Sequence, residues 1–523
     1  MPDTSADRPA ALLSPSDKTG AADLATALLE HGCTIYATGG TRDYLQRHGV
    51  PARDVGEITG FPELFGGRVK TLHPKIFGGI LYDRNDSEHV EQAQAYNIAR
   101  IHTVAVNLYP FEATVARPGT TPAEAIEQID VGGVALLRAA AKNFEHVAVL
   151  TQPSQYAEYL EALAAGDVSV GLRRKLAVTA FERTAEYDVA ISHYLATAGE
   201  VPPSALPGAL ALTLRLSKQL RYGTNPQERA AFYLDRNDRL PEQLHGKALS
   251  YNNLLDLDAT LRLLSRARLG PAFGESQAHA RAVVVKHTVP CGAAERPSVA
   301  AAVSEALAAD PISAYGGIVA VDAPLDGTGA QSLTRYFLEI VAAPAFDDDA
   351  LGVLRKKKNL RIMRFGASLP DELALELRLR SALGGVLAED DDPTAPPEQW
   401  QVVSRRQPSP PEWGDLGFAW DVVRHVKSNG IAVVKDRVAR GICAGQTNRV
   451  SAVQIAARRA NVSGGACASD GFFPFADGLE AAAEGGCSAV IAPAGSVRDA
   501  EVIAAADRLG LALVFSTYRY FLH

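Results

Sequence analysis

Short β-rich runs alternate with helical stretches through the first 150 residues, and this alternation constrains the fold more than any other feature of the chain. Residues 10–14, 34–37, 103–108 and 147–150 read as strands; residues 21–30, 42–47 and 134–142 read as helices, the first two closed by Gly32 and Gly49. Strands separated by helices do not pair as tight hairpins. They form a parallel sheet with helices on its faces, and such sheets bind ligands at the carboxyl ends of their strands. Chemistry is expected in the polar loops that follow the strands.

Two further helical stretches, 155–164 and 172–195, lead into residues 197–208, which carry Pro202, Pro203 and Pro207. A domain boundary is expected there: a first domain over 1–200, a linker over 201–208 and a second domain over 209–523. Residues 390–413 hold six more prolines behind the acidic run 389–392, and read as a connector between two halves of the second domain, about 209–389 and 413–523. The halves echo each other. Ala282-Val-Val-Val-Lys286 resembles Ile431-Ala-Val-Val-Lys435, and an Ala-Pro pair ends 58 residues after each lysine, at Pro344 and Pro493. A duplicated α/β subdomain is the expectation.

Composition excludes several classes. With 47% apolar and 21% charged residues the 523-residue chain is globular, and its 52 Lys+Arg against 60 Asp+Glu give a net charge of −8, with no basic field for nucleic acid. No apolar run approaches the roughly 20 residues that cross a bilayer, so no membrane partner and a cytoplasmic location are expected. Five scattered cysteines without a C-x-x-C pair read as reduced thiols. Twelve histidines without an H-E-x-x-H or H-x-E pattern offer no transition-metal site, so no catalytic metal is expected.

Four loops of the first domain concentrate unusual residue types. Ser14-Pro-Ser16-Asp-Lys18-Thr19 follows the first strand, and Thr38-Gly39-Gly40-Thr41 follows the second and opens a helix. Glycine N–H groups, hydroxyls, a helix N-terminus and a lysine together suit a phosphate. The third loop, Gly66-Gly67-Arg68-Val-Lys70-Thr71-Leu-His73-Pro-Lys75, is cation-rich. The fourth set is Asn107-Leu-Tyr109-Pro110 with Asp130-Val-Gly132-Gly133 and, along the next helix, Arg138 to Lys142-Asn143. Lysines, a tyrosine and an aspartate around a phosphate site suit charge stabilisation and proton transfer.

These runs, R-V-K-T-L-H-P-K, N-L-Y-P-F and I-D-V-G-G-V-A-L-L-R-A-A-A-K-N, resemble the IMP cyclohydrolase domain of the bifunctional AICAR transformylase/IMP cyclohydrolase family. The resemblance implies a methylglyoxal-synthase-like, Rossmann-type α/β fold and dehydrative ring closure of formyl-AICAR to IMP. It assigns Lys70, Tyr109, Asp130 and Lys142 to catalysis. Ser14, Ser16, Lys18, Thr38, Gly39, Gly40, Thr41, Arg68, Thr71, Asn107, Gly132 and Gly133 fall to substrate binding.

In the second domain Lys218-Gln-Leu-Arg221-Tyr222-Gly223-Thr-Asn225-Pro sets a cation and an aromatic beside a glycine turn, and Leu249-Ser-Tyr-Asn-Asn253 opens an amphipathic stretch. An apolar strand delivers Lys286-His287. Asp310-Pro-Ile-Ser-Ala-Tyr315-Gly316-Gly317 and His425-Val-Lys-Ser428-Asn429 are further glycine-marked or polar turns, and a cleft lined from both repeats is the economical picture. With Gly441 to Arg449 and Ser469-Asp470-Gly-Phe472-Phe-Pro474-Phe475, these resemble the AICAR transformylase domain of the same family, so the resemblance spans nearly the whole chain.

That resemblance implies two cytidine-deaminase-like subdomains without zinc, and formyl transfer from 10-formyltetrahydrofolate, a co-substrate, to the amine of AICAR. His287 would hydrogen-bond the carboxamide and assist proton removal. Lys286 would stabilise the oxyanion or protonate the departing folate nitrogen, and Asn429 would orient the formyl group. Arg221, Tyr222, Gly316, Glu339 and Arg449 match the nucleotide side, and Phe472, Pro474, Phe475 and Asp477 the folate side. The resemblance further implies a homodimer and a structural potassium near Ser428 and Asp470. Thr224, Gln227, Thr288, Val289 and Leu522 depart from the family pattern and bear on folate and nucleotide contacts more than on the reaction. Two other readings stay open on the residues alone: a cyclohydrolase whose second domain has lost transfer, and a nucleotide sensor without turnover.

Overall fold

The computed structural model describes residues 8–62, 64–166, 168–197, 206, 208–234, 240–265, 280–373, 377–390 and 399–523. It divides into two compact units, Met1–Thr213 and Leu214–His523. The expected linker at 201–208 lies, apart from Leu206 and Gly208, outside the described residues.

The first unit holds five parallel strands, β1 (Ala10–Leu13), β2 (Thr34–Ala37), β3 (Arg53–Asp54), β4 (Ile101–Ala105) and β5 (Ala148–Leu150), in the order β3-β2-β1-β4-β5. Every residue of β1 is buried, as a strand covered by helices on both faces requires. The order reverses at β1, so the crevice between β1 and β4, at their carboxyl ends, is the ligand position of such sheets. Helices α1 (Ala21–Glu30), α2 (Gly39–Arg47), α3 (Gly132–Lys142) and α4 (Val170–Thr197) belong to this unit. Several boundaries differ from expectation, two of them at the loops of interest. Helix α2 starts three residues earlier, with Thr38 as its N-cap, and β4 ends at Ala105, releasing Asn107 and Tyr109 into a loop.

The second unit opens with a ribbon, β6 (Arg215–Leu220) against β7 (Ala230–Leu234). Then one element order occurs twice. Its first pass runs β8 (Glu242–His245), α5 (Tyr251–Leu264), the hairpin β9 (Ala280–Lys286) and β10 (Val289–Arg296), α6 (Val299–Ala309), β11 (Gly317–Val321), α7 (Gly327–Leu333), β12 (Leu338–Ala343), α8 (Asp348–Leu354) and β13 (Arg361–Arg364). A second ribbon, β14 (Arg378–Ala382) with β15 (Gly385–Glu389), intervenes. The second pass runs β16 (Gln401–Val402), α9 (Pro410–Val423), the hairpin β17 (Ile431–Lys435) and β18 (Val438–Cys443), α10 (Arg449–Ala460), β19 (Gly465–Ser469), α11 (Asp477–Glu484), β20 (Cys487–Pro493), α12 (Asp499–Leu509) and β21 (Ala512–Ser516).

Both passes join one twelve-stranded sheet, β16-β21-β20-β19-β17-β18-β10-β9-β11-β12-β13-β8, which is continuous because Ala294 of β10 bridges Val438 of β18. Alternate side chains serve two faces. Val283 and Val285 pack with α5 and α9 in one shared core, whereas Ala282 and Val284 pack with α6 in a core drawn from the first half except for Val438. Residues 390–413, expected to be a connector, include β16 and the first turn of α9. Pro410 begins that helix, where a missing N–H breaks no hydrogen bond, while Pro393, Pro396 and Pro397 lie outside the described residues.

Candidate active sites

In the first unit the β1 loop, the β2 loop and the start of α2 meet. The Ser14 and Thr38 hydroxyls lie 2.9 Å apart, and Gly39 and Gly40 form the first turn of α2, whose N–H groups have no partner within the helix. Buried Thr41 donates its hydroxyl to the Pro15 carbonyl at 3.3 Å. Asn107 braces the loop: its Oδ1 accepts the Asp17 N–H at 2.7 Å, and its amide nitrogen donates to the Asp17 carbonyl at 3.0 Å. The Ser16 N–H donates to the Asn107 carbonyl. Lys18 folds back over the carbonyls of Pro15 and Ser16.

A cavity of about 420 Å³ adjoins these loops, lined by Ser14, Thr38, Arg68, Lys70, Thr71, Tyr109, Glu127, Asp130, Gly132 and Gly133, with Ile126, Ile129 and Leu136 as an apolar wall. The Asp130 carboxylate accepts the N–H of Gly133 at 2.7 Å and that of Tyr109. Space demands both glycines: a Cβ on Gly133 would stand 2.4 Å from Asp130 Oδ2, and one on Gly132 2.8 Å from Thr71 Oγ1. Burial raises the Asp130 carboxyl above the ordinary aspartate range against the pull of those N–H groups. Burial also raises the Tyr109 phenol, helped by the charges of Asp130 and Glu127, so Tyr109 keeps its proton at neutral pH. Arg68 pairs with Glu127 at 2.5 Å. Lys70 also lines a neighbouring cavity of about 210 Å³ with Gly39, Asp54 and His73.

In the second unit Lys286 ends β9, and His287-Thr288 form the hairpin turn. The Lys286 ammonium donates to the Tyr315 carbonyl at 2.5 Å, and His287 is exposed. Tyr315 is also a wall of a cavity of about 780 Å³ whose lining includes Lys247, Arg335, Phe337, Glu339, Lys357 and Lys358. Gly316, at φ 78°, lets the chain turn so that its N–H reaches the Phe337 carbonyl at 2.7 Å. Glu339 pairs with buried Arg361 at 2.6 Å, and burial lowers the Lys357 ammonium. The two turns at 221–228 and 249–253 meet, because Asn252 donates to the Thr224 carbonyl. Arg221 lies 5.0 Å from the Tyr222 ring centroid.

A second cluster gathers before β17 and after β19. Arg449 donates to Asp470 Oδ1 and to Asn429 Oδ1, each at 2.6 Å, and Ser428 donates to Asp470 Oδ2 at 2.6 Å. Asn429 spends one amide hydrogen on the Gln446 carbonyl, which leaves the other for a ligand. Phe472, Pro474 and Phe475 are exposed next to this ionic group. Asp477 begins α11 and accepts the Gly478 N–H.

The AICARFT/IMPCHase bienzyme family matches residues 140–459, and the MGS-like domain family matches residues 20–135. A relative from Synechococcus sp. (strain CC9311), named bifunctional purine biosynthesis protein PurH, is 48% identical over 98% of this chain and 100% of its own length. PurH of Thermosynechococcus vestitus is 49% identical over 98% of this chain and 99% of its own. The crystal structure of ForH covers 36% of this chain and 99% of its own at 36% identity, with a TM-score of 0.34. The chain belongs to the bifunctional AICAR transformylase/IMP cyclohydrolase family. It is accordingly an enzyme with two activities, formyl transfer to AICAR and ring closure to IMP.

Of the expected cyclohydrolase residues, the large cavity of the first unit brings together Ser14, Thr38, Arg68, Lys70, Thr71, Tyr109, Asp130, Gly132 and Gly133. It does not bring in Lys142. That residue is exposed at the last position of α3, about 15 Å along the axis from Gly132. Ser16, Lys18, Thr41 and Asn107 shape the neighbouring loop instead of lining the cavity. The sequence reading missed Glu127, and in the second unit Lys247, Arg335, Lys357 and Lys358. The run 356–358 was the available signal. Among the described residues no group of His, Cys, Asp or Glu is arranged to hold a metal ion, and no helix is long and apolar enough to cross a membrane.

Proposed function

We propose that the Leu214–His523 unit transfers the formyl group of 10-formyltetrahydrofolate to AICAR, and that the Met1–Thr213 unit closes formyl-AICAR to IMP. The single observation that carries the ring-closing assignment is one cavity holding Lys70, Tyr109 and Asp130. In ring closure the carboxamide nitrogen attacks the formyl carbon of the same molecule, so the site adds conformer, charge and proton transfer. Asp130 takes one proton from the carboxamide nitrogen and passes it to the oxyanion that Lys70 faces, giving a carbinolamine; protonated Tyr109 then gives the hydroxyl the second proton with which water leaves, and the former formamide N–H returns a proton to the phenolate as the ring double bond forms. Arg68 exchanges Glu127 for the substrate phosphate.

For formyl transfer the AICAR amine attacks the formyl carbon, the oxyanion collapses and the bond to the folate nitrogen breaks. His287 accepts the amine proton, Lys286 stabilises the oxyanion or protonates the leaving nitrogen, and Asn429 presents its remaining amide hydrogen to the formyl oxygen. The cationic cavity beside Tyr315 supports a phosphate seat, and exposed Phe472 and Phe475 support the folate side.

Following folate release and IMP formation separately, with AICAR and 10-formyltetrahydrofolate as substrates, tests the whole assignment. K70A should leave folate release intact while formyl-AICAR accumulates. Turnover of formyl-AICAR without any use of AICAR would instead establish a transfer-inactive enzyme. The sign of the Asp130 shift gives a pH test: a base with a raised pKa loses its ionised form at a higher pH, so the acidic limb of ring closure should lie above the ordinary aspartate value and vanish in D130N.

The protein acts as a cytoplasmic homodimer in this reading. The apolar side chains Leu379, Leu383, Val386 and Leu387, exposed on the β14–β15 ribbon, support self-association, and sedimentation at micromolar concentration tests it. Ser428 and Asp470 offer hard oxygen donors that fit potassium. Since Arg449 already neutralises Asp470, such an ion would be structural, and a rise in Tm with potassium but not sodium is its test.

A further inference from the structure

The β9–β10 turn carries two consecutive left-handed residues, His287 at φ 55° and Thr288 at φ 60°, and neither is glycine. Two-residue hairpin turns of this kind favour Asn-Gly because side chains, β-branched ones above all, are strained there. Something outside the turn must hold it. Asp256, half-buried on α5, does so: its Oδ1 accepts the Thr288 N–H at 2.7 Å, and its carboxylate also accepts the His287 N–H. The second half repeats the device. Asp436 and Arg437, at φ 53° and 54°, donate their N–H groups to Asp415 of α9 at 3.0 and 2.6 Å.

We propose that Asp256 is a positioning residue for formyl transfer: it fixes the strained turn that sets the direction of the His287 side chain and the end of the strand that carries Lys286. This rests on the assignment of Lys286 and His287 to that reaction. The Asp256 carboxylate also feels the charge of the His287 imidazole, but its hydrogen bonds to the turn go to the main chain. It acts through backbone N–H groups, and a carboxylate is suited to this because both of its oxygens accept, whereas an asparagine would turn an NH₂ toward one of the donors.

Steady-state kinetics of D256N, D415N and the double variant D256N/T288G test this, with a urea melt of each variant reporting that the second unit is folded. D256N should lower the transfer kcat by about 10- to 100-fold, the scale of a reacting group misplaced by an ångström or less, with KM for AICAR changed by less than about threefold. D415N, the same chemical change at the matching turn, should leave transfer kcat within about twofold of wild type. Glycine accepts positive φ without strain, so T288G in the D256N background should recover at least about tenfold. Equal kcat losses in D256N and D415N, or a D256N enzyme with wild-type kcat, would overturn the proposal. If D256N does not fold, a folded but inactive double variant overturns it and a folded, active one supports it. Wild-type protein devoid of transfer would sink the underlying assignment instead.

Discussion

The two hairpin tips of the second unit are built alike and do different things. Both have a lysine at the strand end, two left-handed residues and an aspartate from the preceding helix beneath them. Both lysines cap a carbonyl before the next strand, Lys286 that of Tyr315 and Lys435 that of Gly464. The difference lies in what surrounds them. At the second tip Arg437 is tied to Glu295 of the first half, and the Asp436 carbonyl accepts from Arg296, so the turn serves as a joint between halves. At the first tip the turn residue is an exposed histidine, and the capped carbonyl belongs to a tyrosine that walls a large cationic cavity. In the proposed assignment, chemistry sits at the tip that faces space for a ligand, and the tip tied by Arg296 and Arg437 to the other half serves as a joint.

Replacing the two lysines should break this symmetry most sharply. K286A removes a group placed at the reacting centre and should lower formyl transfer by about 10²- to 10⁴-fold, the usual range for such a group, while ring closure continues. K435A removes its bond to the Gly464 carbonyl and its attraction to Asp415, and should leave transfer within about twofold. Parallel assays of AICAR consumption decide it, and comparable losses in both would show that the tips are not functionally distinct.

The joint itself is the next target. Arg281 is buried between Glu295 of its own half and Asp421 of the other, at 2.9 and 2.6 Å. R281M leaves two buried carboxylates short of a partner and should cost about 3–5 kcal/mol of unfolding free energy in urea. A loss below about 1 kcal/mol would mean that the halves are stable independently of the ionic joint.

How much of this was legible in sequence depends on the range of the contacts involved. Residues 34–37 were bounded correctly because glycines punctuate that strand locally. The end of β4 was misplaced by three residues, since Val106-Asn107-Leu108 reads as strand until the Asn107 side chain is seen bracing Asp17, 90 positions away. The repeat was legible from apolar runs ending in lysine. Asp256 was not, because its role exists only once a hairpin more than thirty residues later folds against it.

Matched glycines in the second strand of each hairpin give a graded test of the shared frame. A Cβ on Gly292 would stand 2.0 Å from the Ala306 carbonyl oxygen, and one on Gly441 2.0 Å from that of Ala456. Each contact is with helix backbone, which cannot swing aside. G292A and G441A should each lose about 1–3 kcal/mol, by similar amounts, as overpacked sites do. A large difference in their urea midpoints would show that the two strand–helix contacts differ in compliance.

The smallest paired effect should come from the helix caps that follow the two hairpins. Ser298 caps α6 by accepting the Ala301 N–H at 3.3 Å, and Asn448 caps α10 by accepting the Ser451 N–H at 3.0 Å. Loss of such a cap costs about 1 kcal/mol, so S298A and N448A should lower stability by similar small amounts. Their catalytic consequences should differ. Asn448 adjoins Arg449, which orients Asn429 through its carbonyl oxygen, whereas Ser298 has no such neighbour. A transfer defect in N448A that exceeds the one in S298A, at equal loss of stability, would show that the second half contributes to formyl transfer through its helix start while the first half contributes through its hairpin tip.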